Sequence, residues 1–144
     1  YLASELQAAY LYAQLEVAER IEENRLRAWE YYYSQLSELA QIGTLALPTI
    51  PDGCHHNAHL FYLKADHLQQ RQQLLKHLLQ HRVQAVFHYI PLHSSIMGAK
   101  HGRFNGVDRY TTNESERIVR LPLYYGLDRA DLAHVVKAVL SFYG

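Results

Sequence analysis

The sequence predicts an α+β fold, in which a long N-terminal helix precedes a small antiparallel or mixed sheet covered by helices. Three observations predict it. A helical apolar stripe runs through roughly the first forty residues. Short apolar runs of strand length follow, and capped amphipathic helices lie between and after them.

The first element opens at Ser4. Its hydroxyl stands three residues before Gln7, the spacing of a capping box. The stripe then runs Leu6, Tyr10, Ala13, Val17, Ile21, Ala28, Trp29, Tyr32, Leu36 and Leu39. Glu16–Arg20 and Glu23–Arg27 are favourable i,i+4 pairs, and Gly43 stands where a left-handed C-cap is wanted. One helix of about 38–40 residues would be about 60 Å long. A compact domain of this chain length is only about 40 Å across. The helix therefore breaks or projects. Residues 1–18 carry only Glu5 and Glu16 as charges and are apolar almost all round, the mark of a helix buried on every face. Too little chain remains to bury them, so they are expected to pack against further protein. The chain divides accordingly into 1–43, a long linking helix, and 44–144, a small domain.

The remaining elements follow in order. Leu45–Leu47 is a short strand candidate closed by Pro48 and Pro51, and His59–Lys64 a second. Asp66 is expected to cap a helix through about His81, with Leu68, Leu75, Leu78 and Leu79 inward. Gln84–Ile90 is the next strand candidate, stopped by Pro91. A long loop with three glycines runs from Ser94 to Tyr110. Thr111 with Glu114 has capping-box spacing and opens a short helix that ends before Pro122. Asp128 caps a last helix carrying Leu132, Val135, Val136, Val139 and Tyr143.

Composition limits the function. The 144 residues are 49% hydrophobic, with 14 basic and 14 acidic side chains and no formal net charge. Disorder is excluded, and a nucleic-acid partner is disfavoured because no basic stripe is present. One cysteine, Cys54, excludes an internal disulfide and a cysteine-based zinc cluster. No stretch approaches the roughly 20 apolar residues that span a bilayer, so no membrane partner is expected. The histidines His55, His56 and His59 cluster, yet their spacing matches no zinc pattern, and no metal is expected.

Two segments are candidates for ligand contact. In an extended His88-Tyr89-Ile90-Pro91-Leu92-His93, Tyr89 and His93 share a face and His88 lies on the other; plain strand termination is the alternative. The loop from Lys100 to Tyr110 offers Arg103 and Arg109 as a fork for phosphate, with solvated arginines as the alternative. None of Lys64, Lys76, Lys100 and Lys137 follows a strand in an apolar, small-residue turn, where a Schiff-base lysine is expected.

Taken together and in order, Ser-Glu-Leu-Gln-Ala-Ala, His59–Lys64, His88–His93 and Glu114-Ser-Glu-Arg running into Leu121-Pro-Leu resemble the DegT/DnrJ/EryC1 family of sugar aminotransferases. The resemblance covers essentially the whole chain. It implies the linking helix and C-terminal small domain of a fold type I, pyridoxal phosphate-dependent enzyme. The cofactor would be held by a lysine in a large domain that this sequence does not include, with an acidic partner for the ring nitrogen. The strings Phe-His-Tyr-Ile-Pro-Leu-His and Asp-Arg-Tyr-Thr-Thr are similar to members that move an amino group from glutamate to C4 of a dTDP-4-keto-6-deoxyhexose. A cytoplasmic homodimer is implied, and this segment alone would be inactive. His88, Tyr89 and His93 match a block that lines the sugar-nucleotide pocket, and Arg103 and Arg109 are candidates for the diphosphate. Tyr1 matches a tyrosine that family members present across the dimer toward the cofactor. Leu2 and Ala3 depart from the arginine and methionine that usually follow it. The rival readings are a non-enzymatic binding or dimerisation module of the same descent, and a relative using another nucleotide sugar.

Overall fold

The computed structural model describes residues 2–144, and the expectation for Tyr1 falls outside them. The architecture is α+β, as the patterning predicts. The described residues form six α-helices and one antiparallel two-stranded sheet.

The long N-terminal stripe forms two helices, α1 (Glu5–Leu15) and α2 (Ala18–Gln41). The Ser4 capping box forms as expected: the Gln7 N–H donates to Ser4 Oγ at 3.3 Å, and the Ser4 N–H donates to Gln7 Oε1 at 3.0 Å. At the junction Val17 leaves helical geometry with φ −121° and ψ 16°, so no continuous helix of about 60 Å exists. The expected Glu16–Arg20 pair is not formed; Arg20 instead lies over the Tyr125 ring at 5.9 Å. Glu23–Arg27 is formed, at 3.9 Å. Helix α1 buries no residue, whereas α2 buries Ala28, Trp29, Tyr32 and Leu36. Gly43 ends α2 at φ +77°. Its N–H bonds the Ala40 carbonyl and the Thr44 N–H bonds the Leu39 carbonyl, a Schellman closure.

The sheet pairs β1 (Phe61–Lys64) with β2 (Ile118–Leu121), in register Phe61 opposite Leu121 and Leu63 opposite Val119. Those four side chains are buried and face the core. The expected strand His59–Lys64 thus begins two residues later. Leu45–Leu47 contributes only a bridge from Ala46 to Lys64, and Gln84–Ile90 only one from Val86 to Arg120. Pro48 and Pro91 lack the N–H a longer ladder needs. Strand β2 falls where the sequence suggested only a helix running toward Pro122.

Helix α3 (Leu68–Gln80) is capped by His67, whose Nδ1 accepts from the Gln70 N–H, and not by Asp66. Its inward face carries Leu74, Leu78 and Arg71, while Leu79 is 68% exposed, contrary to expectation. The phase is set by Arg71, whose Nε donates to the Glu116 carbonyl. The loop expected from Ser94 to Tyr110 contains α4 (Ile96–His101). Helix α5 (Thr111–Arg117) starts without a capping box: Tyr110 is at the cap position, and Glu114 turns instead to Lys64 at 2.8 Å. Asp128 caps α6 (Arg129–Tyr143) as expected, accepting from the Asp131 N–H at 2.7 Å.

The core lies between the sheet and α2, α3 and α6. Phe61 sits 5.4 Å from Trp29 and 5.1 Å from Tyr32, ring to ring, beside Leu74, Leu78, Val136 and Val139. The buried Tyr32 hydroxyl donates to the Pro122 carbonyl at 2.9 Å, which ties α2 to the end of β2. This frame fixes the two ends of residues 84–117, which carry the candidate site. No described helix is long and apolar enough to cross a membrane.

Candidate functional site

The segment His88–His93 leaves the sheet after Val86 and bends at Pro91 into one 3-10 turn, Leu92–Ser94. Ser95 then caps α4, accepting from the Gly98 N–H at 3.0 Å. Gly98 is required here because a Cβ would lie 1.6 Å from the Leu92 carbonyl oxygen. That close approach holds the turn bearing His93 against α4. The segment is therefore not extended throughout, and Tyr89 and His93 do not share one strand face.

His88 is held from the sheet. Nη1 of Arg120, on β2, lies 2.5 Å from His88 Nδ1. A guanidinium only donates, so Nδ1 accepts and the ring proton of neutral His88 resides on Nε2. The ring also packs against Tyr89 at 4.2 Å. Tyr89 itself is 71% exposed and borders a 270 Å³ pocket with Arg71, Phe87, Pro91, Thr112 and Glu116. Arg71 is buried there, its guanidinium 4.4 Å above the Phe87 ring. Burial lowers its pKa, and the nearby Glu116 carboxylate works in the opposite direction.

His93 borders a second pocket, of 480 Å³, with Leu92, Met97, His101 and Arg103. Its Nε2 lies 2.9 Å from Asp108 Oδ2, and its ring packs on Phe104 at 4.5 Å. Asp108 is fixed in turn by Thr112, whose hydroxyl donates to Oδ2 at 2.6 Å and whose N–H reaches both carboxylate oxygens at 3.3 and 3.4 Å. Chiefly that hydroxyl bond, helped by the Thr112 N–H and His93, holds the Asp108 carboxyl below its ordinary pKa.

The expected residues thus fall into separate positions. His93 and Arg103 border one pocket and Tyr89 the other, with Thr112 lining the Tyr89 pocket while bonding the Asp108 that holds His93. Arg109 is exposed and lines neither pocket, so the expected arginine fork is not assembled. Asp108, Thr112, Arg120 and Arg71 were not singled out from the sequence. A signal existed for Asp108: an Asp a few residues before a helical Thr is placed to accept its backbone N–H. Arg120 and Arg71 act across long sequence separations that spacing does not report.

The histidine cluster is used structurally at His56, which packs 4.3 Å from Trp29 and accepts from the Ala58 N–H. Lys64 is bound to Glu114, and Lys76, Lys100 and Lys137 are exposed and line neither of these two pockets. The described residues therefore do not fit a covalent pyridoxal phosphate site by themselves.

A small two-stranded sheet packed against three core helices is the frame of this chain, with residues 84–117 carrying most of the lining of both candidate pockets. The chain belongs to the DegT/DnrJ/EryC1/StrS aminotransferase family, which it matches over residues 2–140. Solved structures similar to it include DesV from S. venezuelae in complex with a ketimine intermediate, at 23% identity and a TM-score of 0.82, covering 96% of this chain and 36% of that one. PseC from Helicobacter pylori, an aminotransferase of pseudoaminic acid biosynthesis, matches at 18% identity and a TM-score of 0.84, covering 99% and 38%. NtdA from Bacillus subtilis, with bound cofactor PMP, matches at 20% identity and a TM-score of 0.69, covering 85% and 28%. The chain spans about a third of the length of these proteins.

Proposed function

We propose that the protein carrying this chain, at the length of its relatives, is a pyridoxal phosphate-dependent sugar-nucleotide aminotransferase. It takes the amino group of glutamate and places it at C4 of a dTDP-4-keto-6-deoxyhexose, giving a dTDP-4-amino-4,6-dideoxygalactose for cell-surface polysaccharide. The chain is its C-terminal part: residues 1–43 link to the cofactor domain and residues 44–144 form the small domain. The working form is a cytoplasmic homodimer, with Tyr1 assigned as a contributor to the cofactor site of the other subunit.

Family membership supports the reaction class. The observation within this chain that carries the substrate assignment is the His93 pocket, where a carboxylate-bound imidazole borders an open cleft with Arg103. Pyridoxal phosphate supplies the electron sink for amino transfer, and the group that holds it lies outside the described residues. The role of this chain is to bind and orient the nucleotide sugar through His88, Tyr89 and His93, with Arg103 next to the diphosphate. Arg109, exposed and outside both pockets, is the weaker diphosphate ligand.

The test is turnover by the full-length protein with glutamate and either dTDP- or UDP-linked 4-keto-6-deoxyhexose, followed by mass spectrometry of the amino sugar. The expected result is a higher kcat/KM on the dTDP substrate; preference for UDP or no turnover would overturn the assignment. His93→Ala is expected to raise the nucleotide-sugar KM about tenfold, the effect of losing one good polar contact. An unchanged KM would overturn the substrate contact assigned to His93.

A further inference from the structure

The two histidines of the His88–His93 segment are held by opposite chemistry, and this defines what His93, which borders the larger pocket, can recognise. At pH values where imidazole is neutral, one ring nitrogen donates and the other accepts, and the neighbour of the first decides the character of the second. For His93 that neighbour is Asp108 Oδ2, 2.9 Å from Nε2. The Thr112 hydroxyl also approaches Nε2, at 3.4 Å, and in principle it could donate there. Its proton is engaged elsewhere, because the same hydroxyl lies only 2.6 Å from Asp108 Oδ2. With the Thr112 N–H also directed at the carboxylate, Asp108 has no proton to give and acts only as an acceptor. Nε2 of His93 must then carry the hydrogen.

We propose that Asp108 is a positioning and specificity-determining residue, which fixes His93 as the Nε2–H tautomer and so leaves Nδ1 as a hydrogen-bond acceptor for a ligand hydroxyl. No protein atom bonds Nδ1 among the described residues, and His93 borders the 480 Å³ pocket. Phe104 against the ring at 4.5 Å restricts its rotation. An accepting nitrogen is repelled by a phosphate or keto oxygen and matched by an O–H. His93 therefore reads a sugar hydroxyl and does not itself hold the diphosphate. His88 has the complementary character: Arg120 occupies its Nδ1, and its Nε2–H is a donor. This inference rests on the nucleotide-sugar reading for the identity of the ligand, though not for the tautomer.

Two measurements on the full-length protein test it separately. With histidine labelled by ¹⁵N at about pH 8.5, above the ordinary imidazole pKa, wild-type His93 is expected to show a protonated Nε2 and an unprotonated Nδ1. The reverse pattern overturns the proposal. The second measurement compares the dTDP-4-keto-6-deoxyhexose with its 2- and 3-deoxyfluoro analogues, since fluorine cannot donate. One of the two is expected to raise the wild-type KM about tenfold with little change in kcat. The same replacement should raise the already elevated KM of Asp108→Ala by less than twofold. Equal penalties in wild type and variant overturn the proposal. Should Asp108→Ala fail to fold, Asp108→Asn keeps the shape and removes the charge, and is expected to show a reduced penalty from the same analogue. If no nucleotide sugar binds at all, the substrate reading falls, while the tautomer measurement still decides the role of Asp108.

Discussion

Lys64 and Glu114 show how one side chain links two elements. Lys64 lies in β1 and Glu114 in α5, and their 2.8 Å contact is assisted by Arg117 at 3.4 Å from the same carboxylate. The Lys64 hydrogen bond is the main cause holding the Glu114 carboxyl below its ordinary pKa. A carboxylate with a lowered folded-state pKa stabilises the fold at pH above its unfolded value. That contribution is lost as pH falls through the folded value. Acid unfolding should therefore begin, in part, with this group. Glu114→Gln is expected to flatten the acid limb of a melting-temperature profile below the usual carboxylate range and lower stability at pH 7 only slightly. An unchanged limb would mean that the pair is screened out by solvent. The same contact explains a misread signal. Thr111 and Glu114 have the spacing of a capping box, but spacing cannot reveal that a lysine 50 residues away takes the carboxylate.

At the scale of elements, what was legible depended on local chemistry. The caps at Ser4, Gly43 and Asp128 involve neighbours in sequence and formed as expected. So did the buried faces of α2 and α6, whose apolar periodicity is strong. The strands were less legible. Ile118–Leu121 follows Asn-Glu-Ser-Glu-Arg directly, so its four-residue alternation continues a helical stretch, and only its pairing with Phe61–Lys64 makes it a strand. In the site, the candidate histidines were visible as a segment, whereas Asp108 and Arg120, which contact their ring nitrogens, act through contacts formed by folding. The end of α3 provides an element-scale prediction. Arg82 adopts φ +59°, and the Val83 N–H bonds the Leu78 carbonyl, the closure that glycine makes without strain. Arg82→Gly is expected to stabilise the domain by about 0.5–1 kcal/mol. Denaturant unfolding measures this, and a loss of stability would show that the Arg82 side chain contributes more than the backbone strain costs.

For the whole molecule, the proposed function implies a division of labour. The described residues hold a pocket and its orienting groups, and they hold no lysine in either pocket of the candidate site. The 144-residue chain alone is therefore expected to show no saturable one-to-one retention of pyridoxal phosphate after gel filtration. It should also form no amino sugar. Stoichiometric retention would place the cofactor lysine within this sequence and contradict the domain assignment. The chain carries no formal net charge, so any attraction it has for an anion depends on a few placed cations and not on a basic face.

The junction at Glu16–Val17 has a consequence for how mutations are distributed along the first forty residues. Helix α1 has 11 residues and buries none of them, and isolated helices shorter than about 12–15 residues are marginal in water. In this chain alone its amides should exchange with solvent nearly as fast as those of a free peptide, while those of β1 and α6 exchange only on global unfolding. Leu6→Ala and Leu11→Ala should leave the melting midpoint where it is, whereas Leu36→Ala, in the core, should cost about 2–5 kcal/mol. Apolar residues after the junction answer to the stability of this domain, whereas those before it, exposed in this chain, do not.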